Sequence, residues 1–326
     1  MNKSLLLRIS AFITAVIMLA GALSSCVSFE SGNDGKIRIV CTVFPVYDWV
    51  KNIAGDSENV DIILLGGSGV DMHNYQPSVA DIVKITTSDV FIYVGGESDD
   101  WVDKALEKQE NKDMKILNLM SLLGDKALDE EHKEGMEHEH EEEGEEDEIE
   151  KDEHIWMSLA NAAFLCEKIS DAIAQKDAAS AEKYRSNADK YISDINALKD
   201  EYAAKISEAP GKTIVVADRF PFLYMAKEFG FDYYAAFAGC SAETEASFKT
   251  ISTLAGKVKE LNLKYVVVTD GSDRRIAGTV ISESGVDCQI VELNSLQAVS
   301  LNQIESGYTY LGIMKQDLEL LLTVLG

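Results

Sequence analysis

The five histidines of this 326-residue chain fall in two places, one at His73 and four at His132, His138, His140 and His154. The second group lies in the most acidic stretch. Between Asp129 and Glu153 sixteen Asp and Glu stand against Lys133 and Lys151, so this segment holds −14 of the chain's net charge of −26. Imidazole and carboxylate together suit zinc, manganese and similar divalent cations, whereas calcium alone would need no histidine. The overall charge excludes nucleic acid as a partner and makes cations the natural ones.

His73 sits in Asp71-Met72-His73-Asn74-Tyr75-Gln76-Pro77-Ser78, after a glycine-rich approach, Gly66-Gly67-Ser68-Gly69. His154 sits in Asp152-Glu153-His154-Ile155-Trp156-Met157-Ser158, where the acidic run gives way to an apolar helix. Both are junctions of loop and regular element, the places where ligands are presented. The stretch 129–153 offers little apolar surface to bury and is expected to be disordered or mobile without metal. His138-Glu139-His140 within it has the composition of a weak metal-capture segment that could feed His154.

The elements that must hold these residues read as alternating strands and helices. β-branched runs at Ile37–Val43, Val60–Leu65 and Val90–Val94 form one group, and runs at Thr213–Ala217, Tyr233–Phe237, Tyr265–Thr269 and Gln289–Leu293 form a second, with helical segments such as Phe248–Leu261 and Arg274–Ser284 between them. This grammar predicts two βα lobes with parallel central sheets. Between the groups Tyr184, Ala188, Tyr191, Ile195, Leu198, Tyr202 and Ile206 recur at steps of three or four, one apolar stripe on a single linking helix from about Ala179 to Ser207. Ligands of open parallel sheets bind outside the carboxyl ends of strands, which puts the metal cleft between the lobes. A chain of this length, 46% hydrophobic, is long enough for two lobes. The division expected is an amino-terminal lobe over 37–158 carrying the acidic loop, a helical region over 159–210, and a carboxyl-terminal lobe over 211–326.

The first 26 residues differ. Lys3 and Arg8 precede an apolar run from Ile9 to Leu23, too short for a spanning helix and closed by Leu23-Ser24-Ser25-Cys26. That ending resembles a bacterial lipobox, which implies cleavage before Cys26 and lipidation of its sulfur, with 27–36 as a polar tether. Cys41, Cys166, Cys240 and Cys288 form no C-x-x-C pair and read as small buried residues, with one disulfide allowed in an exported protein.

The segments around His73 and His154 resemble the Asp-Pro-His-x-Tyr-x-Pro-Ser and Asp-x-His-x-Trp motifs of the cluster A-I substrate-binding proteins of zinc and manganese ABC transporters. The resemblance covers essentially the whole mature chain, including the lipobox, the linking helix and the acidic insertion of the zinc-type branch. It implies that His73 and His154 are the first two metal ligands. The third family ligand, His or Glu, comes from the loop after the first carboxyl-lobe strand, here Val216-Ala217-Asp218-Arg219-Phe220. An ungapped match puts Arg219 there, and a guanidinium has no lone pair to offer a cation. Asp218 is the chemically sensible donor beside it. For the fourth position Glu243, Glu245, Asp270 and Asn294 compete, Asn294 as a neutral oxygen.

The resemblance further implies an extracytoplasmic protein that is not an enzyme. It would capture Zn²⁺, with manganese or iron as the alternative cargo, and deliver it to a membrane permease driven by a cytosolic ATPase. It is expected to be a monomer held to the bacterial cell membrane by the lipid on Cys26. A zinc hydrolase is the rival from another class, but the chain has no H-E-x-x-H helix and no dedicated general base. A metal-dependent surface adhesin is the third reading.

Overall fold

A computed structural model describes residues 35–67, 69–137, 150–241 and 245–326. Cys26, His138, His140 and Glu243 lie outside the described residues. Eight strands form two four-stranded sheets. The first holds β1 (Ile37–Cys41), β2 (Val60–Leu64), β3 (Val90–Tyr93) and β4 (Lys115–Asn118), and the second β5 (Thr213–Arg219), β6 (Asp232–Phe237), β7 (Tyr265–Thr269) and β8 (Gln289–Leu293). Their orders are β2-β1-β3-β4 and β6-β5-β7-β8, with every pairing parallel. The two sheets therefore repeat one topology, with strand order reversing between β1 and β3 and between β5 and β7. Crevices at the carboxyl ends of such strands are where α/β sheets hold ligands.

β4 is absent from the sequence reading. Its four residues, Lys-Ile-Leu-Asn, form an edge strand with one β-branched residue, too short to show a period. β1 ends at Cys41 rather than Val43 because Pro45 opens the next helix, Phe44–Ala54.

The linking helix runs from Ala181 to Glu208. Its buried residues are Tyr184, Ala188, Tyr191, Ile195, Leu198, Tyr202 and Ile206, the predicted stripe residue for residue. At 1.5 Å per residue its 28 residues span about 42 Å. They pack into a single core that also takes Ile39 and Ile92 from the first sheet and Ile214 and Val267 from the second. Tyr191 donates its hydroxyl hydrogen to buried Asp48 at 2.9 Å, and Asn187 donates to the Ile53 carbonyl at 3.0 Å, pinning the helix to Phe44–Ala54. Residues Ile37–Gly326 make one compact unit. The four described cysteines are all free.

The acidic stretch departs from its expectation at both ends. Asp129 and Lys151 form an antiparallel bridge, and the Glu130 N–H donates to the Glu150 carbonyl at 2.9 Å. Residues 129–137 then lie as a strap against the second sheet. The Glu137 N–H donates to the Ala236 carbonyl of β6 at 2.9 Å, Met136 is buried, and Lys133 pairs with Asp232 over the Tyr233 ring. Gly135 takes φ +92°, and a Cβ there would clash with Thr253 of the helix Phe248–Glu260. Backbone pairing and one buried thioether do here what a hydrophobic run does elsewhere.

Candidate metal centre

The two Asp-x-His segments fold alike. Asp71 Oδ1 accepts the N–H of His73 at 3.0 Å and so caps the turn Met72–Asn74 after β2. Asp152 Oδ1 accepts the N–H of His154 at 2.8 Å just before the turn Ile155–Met157. An aspartate bonding the backbone two residues on is a self-contained local turn, which fixes each imidazole against its own backbone. The two rings meet with Nε2 atoms 3.2 Å apart and planes inclined at 52°. Two imidazoles on one tetrahedral zinc, with Zn–N near 2.0–2.1 Å, would place these atoms about 3.3–3.4 Å apart.

Behind each ring stands a polar partner that leaves Nε2 facing inward. His154 Nδ1 lies 3.1 Å from Asp152 Oδ1, and a carboxylate only accepts, so the hydrogen belongs to Nδ1. His73 Nδ1 lies 2.7 Å from Ser98 Oγ, in the turn after β3, with Glu153 Oε2 at 3.7 Å. Glu153 in turn accepts the Ser98 N–H at 2.9 Å. Carboxylate–histidine supports of this kind orient metal ligands and raise their basicity. Asp152 Oδ2 and Glu153 Oε2 are buried with no hydrogen-bond partner. Trp156 packs edge-on to His154 and anchors its indole N–H on the Ser295 carbonyl at 2.8 Å.

The second sheet contributes through loops at the ends of β5, β6 and β8. Arg219, at the ungapped ligand position, sends its guanidinium to Asp71 Oδ2 at 2.7 Å. Gln297, after β8, donates its amide Nε2 to the same oxygen at 3.3 Å, which turns Oε1 toward His154 Nε2 at 3.0 Å. Asp71 is thus a hub joining His73, Arg219 and Gln297. Cys240, three residues beyond Phe237 at the end of β6, places its sulfur with both histidines so that the three ligand atoms lie within 4.8 Å of one another. Its N–H donates to Glu130 Oε1 of the strap at 2.8 Å. Gly239 is required beside it, because a Cβ there would meet Phe220 O at 2.9 Å and Asp152 Oδ2 at 3.0 Å.

Asp218, the expected third ligand, is not in this group: its Oδ1 accepts the Arg219 N–H at 2.9 Å. Asp270 Oδ1 is committed to the N–H and hydroxyl of Ser295 at 2.6 and 2.7 Å, and Asn294 Oδ1 caps Leu296 at 2.8 Å. Cys240 and Gln297, which sequence reasoning did not single out, are brought beside the two histidines. Only the position of Cys240 after a strand end, behind a glycine, hinted at it.

The electrostatics are uneven. Burial, the charge of His154 and Arg219 lower the His73 pKa to about 3 against the pull of Asp71. Burial also opposes a proton on His154, but the charge and hydrogen bond of Asp152, with Gln297 and Glu153, outweigh it and raise that pKa. Burial pushes Glu153 up. The Cys240 thiol is raised by burial and then by Asp152 and Glu130.

The family model for zinc-uptake complex component A, periplasmic, matches residues 39–324. The zinc-binding lipoprotein AdcA of Streptococcus pneumoniae is 32% identical over 293 residues, 88% of this chain and 56% of AdcA, so the chain spans about half the length of that relative. The high-affinity zinc uptake system protein ZnuA of Bacillus subtilis is 30% identical over 309 residues, 94% of this chain and 92% of ZnuA. Among solved structures, the Zn(II)-bound ZnuA-like domain of S. pneumoniae AdcA superposes with a TM-score of 0.70 at 28% identity, over 89% of this chain and 99% of that domain. The periplasmic zinc-binding protein TroA of Treponema pallidum shares the fold, with a TM-score of 0.73 at 20% identity over 90% of this chain and all of TroA.

Proposed function

The chain belongs to the zinc-uptake complex component A family, and on that premise we propose that it is the extracytoplasmic metal-binding component of an ABC transporter, capturing Zn²⁺ between its two sheets and delivering it to a membrane permease powered by a cytosolic ATPase. It binds its cargo and is not an enzyme. The observation that carries this reading is the facing pair of imidazoles, Nε2 to Nε2 at 3.2 Å, each backed by a polar support, with His154 fully buried and His73 largely so. His73 and His154 are the ligands this reading assigns. The mature chain is a monomer that begins at Cys26, whose lipid holds it to the bacterial cell membrane, with the short stretch before Ile37 as tether.

The test is titration of Zn²⁺ and Mn²⁺ into metal-stripped protein lacking residues 1–25, with Cys26 changed to Ser. One tight zinc ion is expected, and His154→Ala or His73→Ala should each weaken it by more than the roughly 10–100-fold that loss of a mere supporting group costs. Tight binding that survives both changes would place the cargo elsewhere and defeat the proposal.

A further inference from the structure

We propose that Cys240 supplies the third ligand to the cleft zinc as a thiolate, so that this chain holds its cargo with two imidazoles and one sulfur. The inference rests on the zinc-carrier reading and names the residue that reading leaves open. Three observations on different elements support it. The sulfur joins one ring nitrogen each of His73 and His154 in the one group of histidine, cysteine and acidic ligand atoms that could hold an ion among the described residues, all within 4.8 Å. A tetrahedral zinc with Zn–S near 2.3 Å would set sulfur and nitrogen about 3.6 Å apart, so a closing shift of about 1.2 Å suffices. Its neighbours also hold the cysteine in place. Its own N–H is fixed by Glu130, and Asp152 Oδ2, fully buried and without a hydrogen-bond partner, lies beside the adjoining Gly239.

The position customarily filled from the β5 loop is unavailable, because Arg219 is turned to Asp71. Cys240 enters from the neighbouring strand, β6. On binding, the thiol proton leaves to solvent as the Zn–S bond forms; a divalent zinc deprotonates a coordinating thiol outright, whatever burial does to the empty site. The consequence is selectivity. Sulfur is a soft donor that favours zinc over manganese, so two nitrogens and one sulfur discriminate more than two nitrogens and oxygens would.

The experiment is Co²⁺ substitution followed by near-ultraviolet absorption, alongside zinc affinity by chelator competition, on the mature chain and on Cys240→Ser, Cys240→Ala and His73→Ala, with circular dichroism to check folding. A sulfur-to-cobalt charge-transfer band in the parent that disappears in both cysteine variants, with zinc affinity down at least about 10-fold and manganese affinity nearly unchanged, supports the assignment. A parent that binds zinc tightly through His73 but shows no such band overturns it while leaving the carrier intact. Failure of the parent to bind zinc tightly at all would overturn both.

Discussion

Asp152 acts on His154 in two ways, and they pull zinc binding in opposite directions. By accepting the Nδ1 hydrogen it aims Nε2 at the ion and makes it a better donor; by its charge it also makes Nε2 hold a proton more firmly. Acid competition therefore enters through His154, whose pKa is raised, while His73, held at about 3, contributes no competing proton between pH 8 and 4. From the imidazoles, zinc affinity should be flat at alkaline pH and fall by about one decade per pH unit below the His154 pKa, not two. Asp152→Asn should lower the plateau by about 10–100-fold and move the acid decline to lower pH. Zinc dissociation constants measured from pH 5 to 8 in the Cys240→Ser background, where no thiol proton is released, decide this, and an unchanged plateau would show that Asp152 is not a support. If the Cys240 thiol coordinates, it adds one released proton even at pH 8, because its pKa is raised. Calorimetry in buffers of different ionisation enthalpy should count that proton in the parent and find none in Cys240→Ser. His73 and His154 were singled out in the sequence as histidines at loop junctions within segments that resemble the family's motifs, and the fold brings their rings together. Cys240 and Gln297 were not: what makes them candidates is the approach of β6 and β8 loops to β2, a distance that no local pattern encodes.

At the scale of elements the acidic insertion divides in two. Residues 129–137 are a docked strap whose Glu130 side chain holds the backbone of Cys240, whereas 138–149, with His138 and His140, lie beyond the described residues. Deleting 138–149 should leave the tight site intact and remove only weak additional zinc sites. Deleting 130–150 takes Glu130 and buried Met136 as well, so it should weaken the tight site too. Equilibrium titration of both deletions separates the roles, and equal loss of tight binding from both would mean that the histidine-bearing part is itself essential. Composition alone pointed to disorder throughout this stretch. It missed the strap because the stabilising contacts are backbone pairs to β6 and a single thioether, which leave no periodic signature. The buried stripe of the linking helix was legible to the residue for the opposite reason, since seven apolar positions at helical spacing admit one buried face, while its ends, expected at about Ala179 and Ser207, lie at Ala181 and Glu208.

Across the whole molecule, that face makes the two sheets share one core, and this limits how zinc can be gripped and released. A 28-residue helix whose buried face lies in the core shared by both sheets resists a wide hinge, so loading should be a local closing of the β6 and β8 loops onto His73 and His154. The Asp71–Arg219 pair spans the same gap and, being largely shielded from solvent, opposes its opening. Zinc-free and zinc-loaded protein should then give nearly superimposable small-angle scattering curves, while the loaded form is much more stable. At free zinc a thousand times the dissociation constant, linkage adds about 4 kcal/mol to unfolding, visible as a raised melting temperature. His154→Ala should abolish that rise without changing the scattering. Arg219→Ala removes the cross-gap pair and leaves Asp71 with Gln297, so it should speed zinc release more than it slows capture, read by stopped-flow transfer to a chelator. A large change of scattering on loading would mean that the shared core does not restrain the lobes.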